Sequence, residues 1–136
     1  MGSFMSRIKF KAWHWQSKRM FIVQEIYFSR NEISGTWLND TKENTGLLKW
    51  DGCDLLQGIG LKDMHGQEMF EGDLIDDTCN RIGINQSALL VRWDPKEARF
   101  CLYDNKERQI WWHPHLQQVI GNIYENRSLW HGKLNF

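Results

Sequence analysis

The sequence predicts a mainly β protein: a single small domain, curled-sheet or barrel-like, with long loops and little helix. Three observations carry that expectation. Short runs of β-branched and aromatic residues recur down the chain, some with apolar–polar alternation. Clusters of Gly, Pro, Asn, Asp and Ser separate them, residues that each have a backbone reason to turn. Apolar residues at helical spacing are scarce, with at most one turn around His115–Gln118. Many short strands with turns between them point to a small barrel or curled sheet. At 136 residues a second independent core would be cramped, so residues 5–136 read as one domain. Residues 1–4, ahead of Met5, read as a vector-derived start.

Taken in order, Ile8-Lys9-Phe10-Lys11-Ala12-Trp13 alternates apolar and basic residues, as a half-buried strand does. Gln16-Ser17-Lys18 turns the chain, and Met20–Val23 with Ile26–Phe28 bring it back, so residues 7–28 read as a hairpin. Residues 29–46 are polar and read as a long loop, anchored by Trp37-Leu38. Leu47–Trp50 and Leu55–Ile59 are short apolar strands. Asp63–Gly66 is a tight turn, with Asp63 bonding its own backbone and Gly66 taking a positive φ. Glu71-Gly72-Asp73 is a second turn, delivering the chain into Leu74-Ile75. Ser87–Trp93 and Arg99–Tyr103 are strands joined by Asp94-Pro95-Lys96-Glu97, where Pro95 fixes φ for a turn. Gln109–Trp112 is a further strand. In Val119–Tyr124 the interruption by Gly121 marks a bulge or a close backbone approach.

Lysine plus arginine equals aspartate plus glutamate at 17 each, so the basic excess that drives binding to phosphate backbones is missing from the whole. A local basic stretch remains in Arg7, Lys9, Lys11, Lys18 and Arg19, beside Trp13 and Trp15. Lys9 and Lys11 alternate as the solvated face of a strand would. Three cysteines, an odd number without a CxxC pair, fit a reducing compartment rather than a disulfide framework. No apolar run approaches the roughly 18 residues of a membrane span, and no signal-peptide core opens the chain. The expected location is therefore the cytoplasm, with no membrane partner.

The candidate chemistries are thin. Acid–base or cation chemistry needs two of Glu68, Glu71 and Asp73 converging in a cleft, whereas Gly72 between Glu71 and Asp73 makes them turn residues. His113-Pro114-His115 offers one close pair of zinc-ligand type, but no Cys pair complements it, so no metal is expected. The sequence puts no thiol beside a histidine, and no phosphate-binding motif follows Gly58 or Gly60. No catalytic residue, no cofactor and no enzyme activity are expected.

The segment from Gly60 to Ile75, GLKDMHGQEMFEGDLI, resembles the YopX family of phage and prophage proteins. That family carries G-L-K-D-x-x-G-x-x-x-x-E-G-D and a hydrophobic residue at this place. The similarity continues at Val119–Asn126 and at the opening strand Ile8–Trp13, so three pieces in order span nearly the whole chain. It departs in residues 29–46 and 76–87, and Arg127 stands where the family commonly has a proline. The resemblance implies a β-rich domain encoded on a phage, prophage or other mobile element and acting inside a bacterial cell. It carries over no catalytic residue, because the matching positions Asp63, Gly66, Glu71, Gly72, Asp73 and Gly121 are mostly of turn-shaping types.

A nonenzymatic binding or regulatory module is the favoured class. Small curled sheets bind through exposed loops and unpaired edges without a special motif. Eight tryptophans exceed what so small an interior requires, and adjacent Trp111 and Trp112 must face opposite sides of a strand. One of them is expected to meet a protein partner or a second copy of the chain. Weak nucleic-acid binding is the alternative, with Lys9, Lys11 and Trp13 as its residues.

Overall fold

The computed structural model describes residues 8–38, 45–78 and 88–132. The proposed vector-derived start, Arg7, Cys79 and the beginning of the strand expected from Ser87 lie outside them. The fold is mainly β, as expected, and consists of two open antiparallel sheets rather than a closed barrel. The chain divides into two compact units, residues 1–58 and 59–136.

In the first unit, β1 (Phe10–His14), β2 (Arg19–Tyr27), β3 (Glu32–Trp37), β4 (Thr45–Lys49) and the start of β5 (Cys53–Lys62) pair in the order β4-β3-β2-β1-β5. Residues directly opposite across a ladder share a face. The register therefore puts Ala12, Phe21 and Leu55 together, with Trp37 opposite Phe21. Ala12, Phe21 and Ile33 are the buried centre of this cluster. Trp13, Met20 and Leu56, on the other parity, are also buried.

The polar stretch at 29–46 is not one long loop. It contains β3, which pairs with both β2 and β4. A glycine makes this strand possible. A β-bulge at Gln24 brings the β2 backbone so close that a Cβ on Gly35 would lie 1.9 Å from the Ile22 carbonyl oxygen.

In the second unit β5 runs on to its neighbour β6 (Glu68–Phe70). The other strands are β7 (Asp73–Asp77), β8 (Leu89–Asp94), β9 (Arg99–Tyr103), β10 (Gln109–Ile110) and β11 (Gln117–Asn122). They form a five-stranded sheet in the order β10-β9-β8-β7-β11. Alternate residues feed two cores. Ile75, Leu89, Val91 and Leu102 fill one face with Met69, and Leu74, Leu90, Ile123 and Trp130 fill the other. Burial on both faces explains why 88–91 reads as an unbroken apolar run. The strand expected over Gln109–Trp112 stops at Ile110, and the helical turn falls on Pro114–Leu116 as a 3₁₀ turn.

Two aspartates build the same turn at separate places. Asp63 Oδ1 accepts the N–H groups of His65 and Gln67, and Asp104 Oδ1 accepts those of Lys106 and Arg108, all at 2.8–2.9 Å. In each turn the residue three after the aspartate is left-handed: Gly66 at φ +81° and Glu107 at φ +63°. The Asp63 turn also covers the outer edge of β11. Val119 N–H donates to Asp63 Oδ2 at 2.9 Å, and Met64 N–H donates to the Gln117 carbonyl at 2.9 Å. Edge groups paired in this way are not open to a foreign strand.

Candidate functional site

The segment between β10 and β11 is held from within and shows one indole outward. Trp112 packs against the Met69–Leu102 core, and its Nε1–H donates to the Phe100 carbonyl at 3.1 Å. Trp111 beside it is 77% exposed. The clamp is Gln117, a polar side chain with no exposed surface. Its Nε2 donates to the Trp111 carbonyl (3.0 Å) and to Asp77 Oδ2 (3.1 Å), while its Oε1 accepts the His113 N–H (2.9 Å). A buried amide with its bonds made gives a defined backbone path, because leaving them unmade is costly. Thr78 Oγ1 adds a 2.6 Å bond to the Leu116 carbonyl. The expectation that the paired indoles face opposite ways holds, although they lie beyond the end of β10. Nothing in the sequence marked Gln117 as the residue that holds them.

The N-terminal candidates are arranged differently. Lys9 is exposed just before β1, Lys11 is half-buried within it, and Trp13 is buried. A buried indole offers no face to a base, whereas Trp15, two residues on, is exposed. Trp15 Nε1–H donates to Asp54 at 3.2 Å.

Of the candidate carboxylates, Asp73 is buried and accepts the Phe70 N–H at 2.8 Å, as a turn residue does. Burial works to raise the Asp63 carboxyl, but the N–H groups of Val119, Gln67 and His65 outweigh it and hold the pKa below its ordinary value. His113 and His115 stand edge to face, ring centres 6.4 Å apart.

One group that the sequence did not suggest is Asp94, Glu97 and Cys101, whose ligand-type atoms lie within 4.8 Å of one another. The group is satisfied internally. Tyr103 donates its hydroxyl to Asp94, Cys101 donates to Glu97 at 3.4 Å, and Arg99 pairs with Glu97 at 3.4 Å. Burial and the Glu97 contact raise the Cys101 thiol above its ordinary value.

The turn residues of the Gly60–Ile75 segment converge on the C-terminal strand. Asp63 holds Val119, and the Gly72 carbonyl accepts the Ile123 N–H at 2.9 Å. Gly72 at φ +85° lies under Tyr124, whose ring would be 3.1 Å from a Cβ there. At Gly121 a Cβ would meet Asn126 Oδ1 at 2.4 Å, the atom that accepts the Asn122 N–H. Gly66 meets nothing, so only its positive φ demands glycine. Residues 9–130 match the family described as YopX protein. The chain belongs to the YopX family.

The Gly60–Ile75 and Val119–Asn126 segments of the chain are thus one connected piece of structure. Among solved structures, the YopX-family chain is similar to the crystal structure of protein EF1440 from Enterococcus faecalis. The TM-score is 0.64 at 22% identity, covering 90% of this chain and 96% of that one, which is a likeness of fold. No curated protein sequence matches this one. Among the described residues, no helix is long and apolar enough to cross a membrane.

Proposed function

We propose that this YopX-family chain is a phage- or prophage-encoded binding or regulatory module without catalysis of its own. It acts in the cytoplasm of a bacterial host and engages a protein partner, or a second copy of itself, through Trp111. The observation that carries this reading is an indole 77% exposed on a segment fixed by the buried Gln117 amide and by half-buried Trp112. Tryptophan is over-represented among the residues that dominate binding energy, and a pre-fixed anchor has little freedom left to lose on docking.

Sedimentation across a range of concentrations, together with affinity capture from host lysate, tests the reading. Trp111→Ser is expected to abolish the association while leaving the fold intact. A parent that stays monomeric, and whose captured proteins are unchanged by Trp111→Ser, overturns it.

A further inference from the structure

Strand β4 ends its sheet, and among the described residues no strand pairs with its outer side. One bond fixes where its main-chain groups point. Trp50 N–H donates to the Asn31 carbonyl at 3.0 Å, continuing the β3–β4 ladder one step past Glu32 and Lys49. Antiparallel ladders alternate bonded and unbonded pairs, so Leu48 and Gly46 turn their N–H and C=O groups to β3. Thr45, Leu47 and Lys49 turn theirs outward. The Lys49 carbonyl accepts the Cys53 thiol at 3.7 Å, a weak donor that leaves it a second lone pair. Outward groups in a row are a template for another strand. Proline and a projecting lysine are two common guards of such an edge, and neither is in place. β4 holds no proline, and Lys49 Nζ is drawn back to Glu32 at 3.4 Å and to the Arg30 carbonyl at 3.5 Å.

Any extended chain answers such groups, but Thr45-Gly46-Leu47-Leu48-Lys49 answers itself. Antiparallel pairing of two copies about a two-fold axis at Leu47 is the one register that matches all three outward residues. Leu47 then exchanges both main-chain bonds with Leu47 of the second copy, and Thr45 exchanges both with Lys49. The side chains agree with that register on each face. On the outer face Leu47, 57% exposed, meets its own copy, apolar against apolar. Lys49 lies opposite Thr45 rather than another lysine, so no like charges are opposed. On the inner face Leu48 packs on the Ala12–Phe21–Ile33 cluster. Its opposite number is Gly46, which carries no side chain to obstruct it and lies close to the Trp37 indole.

We infer that the chain self-associates through β4, which pairs antiparallel with β4 of a second copy about a two-fold axis at Leu47. Main-chain bonds supply the attraction, and the matched side chains select a second copy over a foreign strand. The contact is five residues long, so the dimer is weak, with a Kd of about 10–100 µM. The inference does not depend on the Trp111 reading.

The test is sedimentation equilibrium of the full chain from about 1 µM to about 1 mM, a range that brackets the expected Kd. Leu47→Lys opposes two lysines across the axis, and Leu47→Pro removes a donor that β3 does not use. Each is expected to raise the Kd at least about tenfold, with thermal unfolding confirming that the fold persists. Trp111→Ser is expected to associate like the parent. Mild oxidation then reads the register. Leu47→Cys puts the two Cα atoms about 5.5 Å apart, within the span of a disulfide, and is expected to give a covalent dimer. Thr45→Cys holds them about 14 Å apart and is expected to cross-link no more than the parent. A parent that is monomeric at the highest concentration overturns the inference, as does equal cross-linking at the two positions. A dimer that Trp111→Ser dissociates and both Leu47 variants leave intact also overturns it, and supports the Trp111 reading instead.

Discussion

Val119 and Asp63, 56 residues apart in the chain, are joined by a 2.9 Å hydrogen bond from backbone N–H to carboxylate. With His65 and Gln67 on the other oxygen, one buried aspartate satisfies three backbone donors and fastens β11 to the turn. Asp63→Asn puts an amide NH₂ against the Val119 N–H and is expected to cost about 2–3 kcal/mol. The carboxyl titrates lower in the folded chain than in the unfolded one, where its pKa is about 3.9. The unfolded state therefore binds more protons in that window. This stabilisation is complete above about pH 4 and is lost as pH falls through the folded value. Urea unfolding from pH 7 to pH 3 should show a steeper acid decline for the parent than for Asp63→Asn.

The two aspartate turns are controls for each other. Open space surrounds Gly66, so Gly66→Ala pays only for left-handed backbone and is expected to destabilise by about 1 kcal/mol. Glu107 already bears that strain, and Glu107→Gly is expected to be neutral or to stabilise by up to about 1 kcal/mol. Opposite signs in denaturant midpoints are the outcome to look for; equal signs would mean that the turns are not equivalent.

Gly35 is a different case, because backbone rather than conformation forbids a side chain. Gly35→Ala drives a methyl group into the Ile22 carbonyl and must separate β2 from β3 at the bulge. A loss of at least about 3 kcal/mol is expected, among the largest effects of a single substitution. Thermal unfolding of Gly35→Ala beside Gly66→Ala measures the contrast.

Neighbouring indoles should separate stability from binding. Trp112→Ala removes core packing and the bond to Phe100, and is expected to cost about 3 kcal/mol. Trp111→Ala should fall within about 0.5 kcal/mol of the parent. Gln117→Ala frees the segment and is expected to lower the fluorescence anisotropy of Trp111, measured as the difference from a matching Trp111→Phe background.

What the sequence disclosed and what it withheld divide along physical lines. The hairpin of β1 and β2, the Asp63 turn with its left-handed glycine and the Gly121 bulge were legible because local chemistry decides them. Strand β3 was not. Glu32-Ile33-Ser34-Gly35-Thr36-Trp37 is polar and broken by a glycine, and it is held as a strand by its pairing with β2 and β4, with the β2 bulge leaving no room for a Cβ at Gly35. The opposed orientation of Trp111 and Trp112 could be anticipated, whereas Gln117 acquires its role from Asp77, 40 residues away. Phe28 read as the end of a strand, and its exposure depends on where β2 gives way to a 3₁₀ turn.

The bond between Asp63 and Val119 also has a consequence in time. A ribosome adding about 5–20 residues per second releases the aspartate some 3–11 s before its partner strand exists. The turn closes on His65 and Gln67 without waiting, since those donors lie within four residues of it. One oxygen of the carboxylate is thus occupied early, while the other stays in water until Val119 leaves the exit tunnel. The last strand of the sheet arrives at an acceptor already aimed, and the edge that could recruit a neighbouring nascent chain is sealed when synthesis ends. Chains arrested before Val119 and chains released after it should differ sharply in protease resistance at β7.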